Sequence, residues 1–247
     1  HLLKYATWNL LARLGEHGFD SADAAGAFTI LLTLTHARPT DDQVLCGWDA
    51  SSPNTPEEKA SILAEGEVIA VEQKGHLGNP DARIALESLG CGDLFNQYAT
   101  AYWGQGTGDF ARFGRYHWEI HPINDDWEYG QTTIDATSNF SGRVHVVFWQ
   151  GGKGELVQLA EELKERLKNI HYRGSEAWGK RGISVTLMRE LRVTLYSGQI
   201  FDGNCASIVP KDETQLPAMW AFCSSPNFND AVRKIDQKLN VTNATLL

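Results

Sequence analysis

Gly182-Ile-Ser-Val-Thr-Leu-Met188 and Arg192-Val-Thr-Leu-Tyr196 are two runs rich in β-branched and apolar residues, and Cys205-Ala-Ser-Ile-Val209 follows as a third. Each reads as a strand. Two helices come next, about Gln215–Cys223 and Pro226–Leu239, the second placing Phe228, Val232, Ile235 and Leu239 on one stripe. Upstream, strands are expected at Tyr116–His121, Trp127–Thr133 and Arg143–Trp149. An amphipathic helix then carries Leu156, Leu159, Leu163, Leu167 and Ile170 on one face. Strands in series with helices around them make the fold class α+β.

Moving toward the N-terminus the pattern weakens. Leu3, Ala6, Leu10 and Leu14 recur at helical spacing, closed by Gly15 and Gly18, so a helix is expected over 2–14. Ala27–Thr35 reads as a strand covered on both faces, with no clear parallel partner in the next hundred residues. Thr55 and Pro56 form a helix start, and Glu57–Gln73 is the expected helix. Leu94–Trp103 reads as a short aromatic-rich helix, and Gly104-Gln-Gly-Thr-Gly108 marks a domain boundary.

Composition excludes several classes. With 247 residues, 42% hydrophobic and 21% charged, the chain has enough apolar content for a core and is not a disordered tail, a fibre or a coiled coil. The longest apolar run, near Ala27–Leu34, is too short to span a bilayer, and no membrane partner is expected. No basic start leads into an apolar stretch, and Cys46, Cys91, Cys205 and Cys223 lack CxxC spacing. Both features fit a reducing cytosol, so the expected location is cytoplasmic. The formal net charge is −9, unevenly placed: residues 1–103 hold 6 Lys+Arg against 14 Asp+Glu, residues 104–247 hold 16 against 17. Within 171–194 the balance turns positive, with Arg173, Lys180, Arg181, Arg189 and Arg192 against Glu176 and Glu190.

Familiar chemical motifs are missing. Gln150-Gly-Gly-Lys-Gly154 looks like a phosphate loop, but Lys153 is followed by Gly154 and Glu155 instead of Ser or Thr, so it reads as a tight turn. His117 and His121 would sit about 13 Å apart on a strand, too far to share a metal, and no metal site is expected. No GxSxG element and no marked Cys–His pair occur, so no catalytic residues are assigned. Two glycine-flanked basic stretches remain, 104–115 and 173–182, suited to bringing cations and backbone N–H groups to phosphates or base edges. A third, Trp220–Asn229 with Ile235–Thr245, reads as helix packing and capping.

Four blocks together carry a resemblance: GTGDFARFGRYHWE (106–119), AWGKRGISVTLMRELRVTLYSGQIFD (177–202), IVPKD (208–212) and LPAMWAFCSSPNFNDAVRKIDQKLNVTNATL (216–246). They resemble the C-terminal half of adenine-specific DNA methyltransferases of type II restriction–modification and phage-defence systems. The resemblance implies a Rossmann-like methyltransferase domain that binds S-adenosylmethionine, followed by a DNA target-recognition domain. No two of the eight prolines are adjacent, so the family's Asn-Pro-Pro-Tyr motif is absent, as is its glycine cofactor loop. Asn79-Pro-Asp and Ser225-Pro-Asn do not replace it.

Those departures imply residual strand and helices of the methyltransferase sheet over 1–50, a helical spacer over 51–103, and a mixed α/β target-recognition domain over 104–247. The resemblance further implies double-stranded DNA as partner and S-adenosylmethionine as cofactor of the larger enzyme, with no cofactor held by this chain. Lys180 and Arg181 are the leading DNA-contact candidates, with Arg173, Arg189 and Arg192 beside them and Thr107, Arg112 and Arg115 behind. A strand at Ala27–Thr35 without neighbours would also leave an edge for association. The competing expectation is a non-enzymatic protein-interaction domain of a defence assembly, which the acidic first hundred residues suit. Because the cofactor loop and the proline pair are missing, calorimetric titration of this chain with S-adenosylmethionine should give no binding heat. A micromolar dissociation constant would contradict that expectation.

Overall fold

A computed structural model describes residues 2–19, 27–86, 93–106, 109–167 and 173–247. Two compact units divide the chain, His1–Gly92 and Asp93–Leu247. Both mix strands and helices, so the class is α+β.

The first unit contains α1 (Leu2–Tyr5), β1 (Thr7–Gly15), β2 (Thr29–Thr35), β3 (Val44–Asp49), α2 (Pro56–Glu65) and β4 (Ile69–Glu72). Its sheet runs β2-β1-β3-β4, with β1 antiparallel to β2 and parallel to β3, and β3 antiparallel to β4. The helix expected over 2–14 is therefore mostly a strand. A register shift between Trp8 and Leu10 inserts one extra residue opposite Leu34 and Thr33. Such a bulge lets residues three apart share a face, and Trp8 and Leu11 both enter the cluster of Leu3, Leu45 and Leu86. Helical spacing was thus imitated by a bulged strand.

β2 is found where expected, but it is an edge strand and is not covered on both faces. Only Leu32 packs on the core, while Ile30 and Leu31 are each 54% exposed. α2 starts as expected, with Thr55 accepting from the Glu58 N–H at 3.3 Å and Pro56 in the first turn. It ends at Glu65, where the Gly66 N–H closes on the Ile62 carbonyl at 2.9 Å, and the remainder of the predicted helix becomes β4. Two buried polar side chains tie this unit together. Lys59 donates to the Leu14 and Ala50 carbonyls at 2.7 and 2.9 Å. Gln73 accepts from the Trp8 N–H at 2.9 Å and donates to the Leu3 and Ala6 carbonyls at 2.9 and 2.8 Å.

The second unit contains β5 (Ala99–Trp103), α3 (Phe110–Phe113), β6 (Gly114–Tyr116), β7 (Trp127–Gln131), β8 (His145–Phe148), α4 (Glu155–Leu167), β9 (Gly182–Thr186), β10 (Val193–Tyr196), β11 (Ile200–Phe201), β12 (Cys205–Pro210), α5 (Leu216–Cys223) and α6 (Pro226–Ile235). One sheet runs β10-β9-β12-β5, the other β11-β7-β8-β6. The helix expected at Leu94–Trp103 is only a 3-10 turn over Phe95–Gln97 before β5. Ala99 and Ala101 alternate with Thr100 and Tyr102, burying the two alanines, and the strand pairs with β12. That pairing is why the division falls between Gly92 and Asp93 and not at Gly104. Tyr116–His121 departs from a strand too, turning into a 3-10 segment at His117–Glu119.

β9 is buried along its whole length. One face of its sheet sends Ile183, Val185, Ala206 and Ile208 against Met219, Cys223, Phe228 and Val232 of α5 and α6. The other carries the Ser184–Ser207 hydroxyl pair at 3.0 Å, with Tyr196, Phe201, Cys205 and Val209 around Ala177. Packing and capping explain the C-terminal motif, as its sequence suggests. Asp236 is fully buried and accepts from the Lys238 and Thr242 N–H groups at 3.3 and 3.1 Å and from the Thr245 hydroxyl at 3.0 Å. Asp236→Ala removes the buried acceptor of these three hydrogen bonds, a loss of about 3 kcal/mol. Urea denaturation followed by tryptophan fluorescence should show the transition of this unit shifted down by that amount, whereas Asp230→Ala on the surface should leave it in place.

Candidate nucleic-acid interface

Residues 173–181 form a loop with its own backbone logic. Gly174 has φ +79°, and a Cβ there would come within 2.5 Å of the Phe201 ring and 2.8 Å of the Trp103 carbonyl. No side chain fits that space. A 3-10 turn at Ser175–Ala177 follows, and Gly179 (φ +73°) donates its N–H to the Gly198 carbonyl at 2.8 Å. Ala177 is fully buried, and the Trp178 ring meets Trp149 edge-on at 5.1 Å. Trp178 thus packs beneath the loop.

On this support sit three cations. The Arg173 guanidinium lies 5.0 Å from the centre of the Trp103 ring, whose indole N–H is anchored to the Gly203 carbonyl at 2.8 Å. The Lys180 ammonium lies 6.0 Å from the centre of the Tyr102 ring. Arg181 is exposed just before β9. Among the described residues, no carboxylate is within ion-pair distance of Arg173, Lys180 or Arg181. A cation over an aromatic face is held in place without losing its charge. Glu176, exposed on the same loop, is the single acid of the segment 173–182.

The five cations of 173–192 do not form one patch. β9 separates Arg181 from Arg189 by about 15 Å or more of strand. Arg192 is occupied at that far end, pairing with Glu190 at 3.1 Å and donating to the Asp135 carbonyl at 2.5 Å. Arg189 has φ +57° and a carbonyl that accepts from the Arg233 guanidinium, so its backbone serves the packing of α6. The glycine-rich stretch 104–115 is also structural in its arginines. Arg112 pairs with Glu155 and lies 5.0 Å from the Phe113 ring centre. Arg115 donates to the Ala111 and Gly114 carbonyls at 2.5 and 2.6 Å. Thr107 lies outside the described residues. The turn at 150–154 is a turn, as expected, with the Gln150 side chain accepting from the Glu155 N–H at 3.2 Å at the start of α4.

A feature that sequence reading missed lies beside that stretch. Phe110, His145, Tyr116, Trp118, His117 and Tyr129 form a chain of ring contacts, with Tyr116 and Trp118 stacked at 4.5 Å and 16°. At its Phe110–His145 end opens a cavity of about 60 Å³. Gln105, Gln131, Thr132 and Asp202 supply its polar lining. The density of aromatic residues in 110–118 was the available signal.

Comparison with known proteins adds a fold likeness. No protein-family model and no curated protein matches the chain. Among solved structures, the chain is similar to the Type IIL restriction-modification enzyme MmeI, solved in complex with DNA. Identity is 13% and the TM-score 0.50, over 97% of this chain and 34% of MmeI. The chain therefore spans about a third of that enzyme's length.

No group of three or more His, Cys, Asp or Glu side chains that could hold a metal occurs among the described residues, and no described helix is long and apolar enough to cross a membrane. Burial pushes the Cys205 thiol well above its ordinary range, reinforced by the neighbouring Asp202 carboxylate, and raises Cys223 to about 12. Neither is a thiolate at neutral pH. Iodoacetamide at pH 8 should leave Cys205 and Cys223 unmodified in the folded chain and label both in urea, as read by peptide mass mapping. Raising the pH to 9 should change nothing, because both thiols still titrate higher.

Proposed function

We propose that this chain is a DNA-recognition part of a restriction–modification enzyme, specifically of an S-adenosylmethionine-dependent adenine-N6 methyltransferase acting in the cytoplasm. The unit 93–247 docks on duplex DNA through Arg173, Lys180 and Arg181. The observation that carries this reading is the loop that presents three cations with no carboxylate partner among the described residues, in a chain of net charge −9. Likeness of fold to a restriction-modification enzyme solved with DNA supports the same class. Arg189, Arg192, Arg112 and Arg115 become secondary, because their positions or partners take them away from this surface. The adenine specificity and the methyl transfer come from the sequence resemblance.

The cavity beside the aromatic rings does not fit the cofactor. The cavity of about 60 Å³ is several-fold too small for a nucleoside-sized ligand, which takes roughly 300 Å³ or more. No Asn-Pro-Pro-Tyr motif is present to hold a flipped adenine. Methyl transfer then belongs to a part of the enzyme beyond these residues, and this chain contributes placement on the duplex. The exposed edge of β2, with Ile30 and Leu31 facing solvent, favours a second reading as a protein-interaction module that associates through that strand.

Salt-dependent DNA binding separates the two. Each phosphate contact released should flatten the slope of log affinity against log salt by roughly one unit. Lys180→Ala with Arg181→Ala should weaken binding to duplexes of any sequence and flatten that slope by about two units, in fluorescence anisotropy at low salt. Arg189→Ala with Arg192→Ala, at the far end of β9, should do much less. Equal effects of the two pairs would move the interface elsewhere, and no duplex binding at 50 mM salt would leave the interaction-module reading.

A further inference from the structure

The aromatic chain and the cavity at its end have no part in the docking just described, and their chemistry is specific. Phe110, Tyr116, Trp118 and Tyr129 are between 41% and 62% exposed, although each large ring could have been buried. Their rings are fixed by one another and by His145, whose centre lies 4.7 Å from both Phe110 and Tyr116. The cavity is walled by Phe110, Val147, Ile200 and Phe201 and ends at polar groups. Gln105 lines it at only 3% exposure, and its side-chain oxygen has no hydrogen-bond partner among the described residues. The buried Nε2 of His145, another lining residue, has none either. Buried polar atoms left without a protein partner are uncommon in folded proteins, and these two line a cavity from which a bound molecule can supply the hydrogen bonds.

Shape and chemistry select the ligand class. Room for a water takes at least 10–15 Å³, so about 60 Å³ accepts one edge of a planar heterocycle and not a whole nucleoside. An amide oxygen and an imidazole nitrogen can bond an exocyclic amine and a ring nitrogen side by side. Exposed rings in series are stacking surfaces for successive bases of a strand. We propose that this surface binds unstacked nucleobases of single-stranded or locally opened DNA. One base stacks at Phe110 and His145 and inserts its amino edge toward Gln105, while its neighbour lies on Tyr116 and Trp118. The inference rests on the DNA-binding reading above but uses a different surface and a different form of DNA.

Anisotropy and tryptophan quenching with the full chain test it, using a twelve-nucleotide oligo(dA), an oligo of abasic sites of the same length, and a fully paired duplex. Oligo(dA) should bind and quench tryptophan, the abasic strand should bind much more weakly, and Trp118→Ala should weaken oligo(dA) roughly ten-fold while leaving duplex affinity unchanged. Gln105→Leu should reduce the preference for oligo(dA) over oligo(dT), with Gln105→Glu, which keeps acceptor oxygens, retaining more of it. If Trp118→Ala leaves oligo(dA) binding unchanged while Lys180→Ala with Arg181→Ala still impairs the duplex, the stacking surface is refuted and the docking reading stands. If the chain binds the duplex and oligo(dA) equally weakly at low salt, both are refuted. Quenching by a short oligosaccharide in place of oligo(dA) would also overturn the assignment, since bare rings stack on sugars as well.

Discussion

The second unit depends on the crossing of two chain segments at Gly104 and Asp202. A Cβ on Gly104 would stand 1.9 Å from the Asp202 carbonyl oxygen, so only glycine lets the strands meet. The Gln105 N–H then reaches the Phe201 carbonyl at 2.9 Å, and the Asp202 N–H reaches the Gln131 carbonyl at 2.9 Å. The Thr132 hydroxyl closes the junction by donating to the Asp202 carboxylate at 2.6 Å. These bonds join β5 and β12 of one sheet to β7 and β11 of the other. Both surfaces with functional character hang from this point: Gly174 of the cationic loop packs against Phe201 and Trp103, and the cavity lies between Gln105, Gln131 and Asp202.

Electrostatics then sort the basic residues. An exposed ion pair contributes little stability, at most about 1 kcal/mol, but it removes a cation from the set available to a partner. Arg112 and Arg192 are spent in this way. Stacking on an aromatic ring is of similar strength, roughly 0.5–1 kcal/mol at exposed sites, yet it leaves the charge in place and lowers the number of side-chain positions to be frozen on binding. Arg173 over Trp103 and Lys180 near Tyr102 are of that second kind. Difference in partner separates Arg112 and Arg192 from the docking candidates, and position at the far end of β9 separates Arg189.

Much of the second unit was legible because its strands and helices carry strong periods. β9, β10, β12, α5 and α6 fall within a few residues of their expected bounds, and the last block packs and caps as its sequence suggests, although nothing in it singles out Asp236. Errors came where a local irregularity altered the period. A bulge at Trp8–Leu10 made β1 look helical, and short alanines at Ala99 and Ala101 hid the alternation of β5. With 2–14 read as a helix, β2 has no antiparallel partner in the sequence and reads as a buried strand. Site residues were partly legible: composition marked the basic segment, but only the fold shows β9 splitting it into two ends. Gln105 was out of reach, since its importance lies in an unpartnered oxygen that no spacing announces.

Hydrogen–deuterium exchange of the full chain, with and without a short duplex at low salt, tests the central claim most directly. Contact through the aromatic-backed loop predicts slower exchange for amides of 174–181 and for the neighbouring 102–104, with the 187–192 end of β9 and residues 2–86 unchanged. Protection confined to 187–192 or to the first unit, or none at saturating duplex, would contradict it.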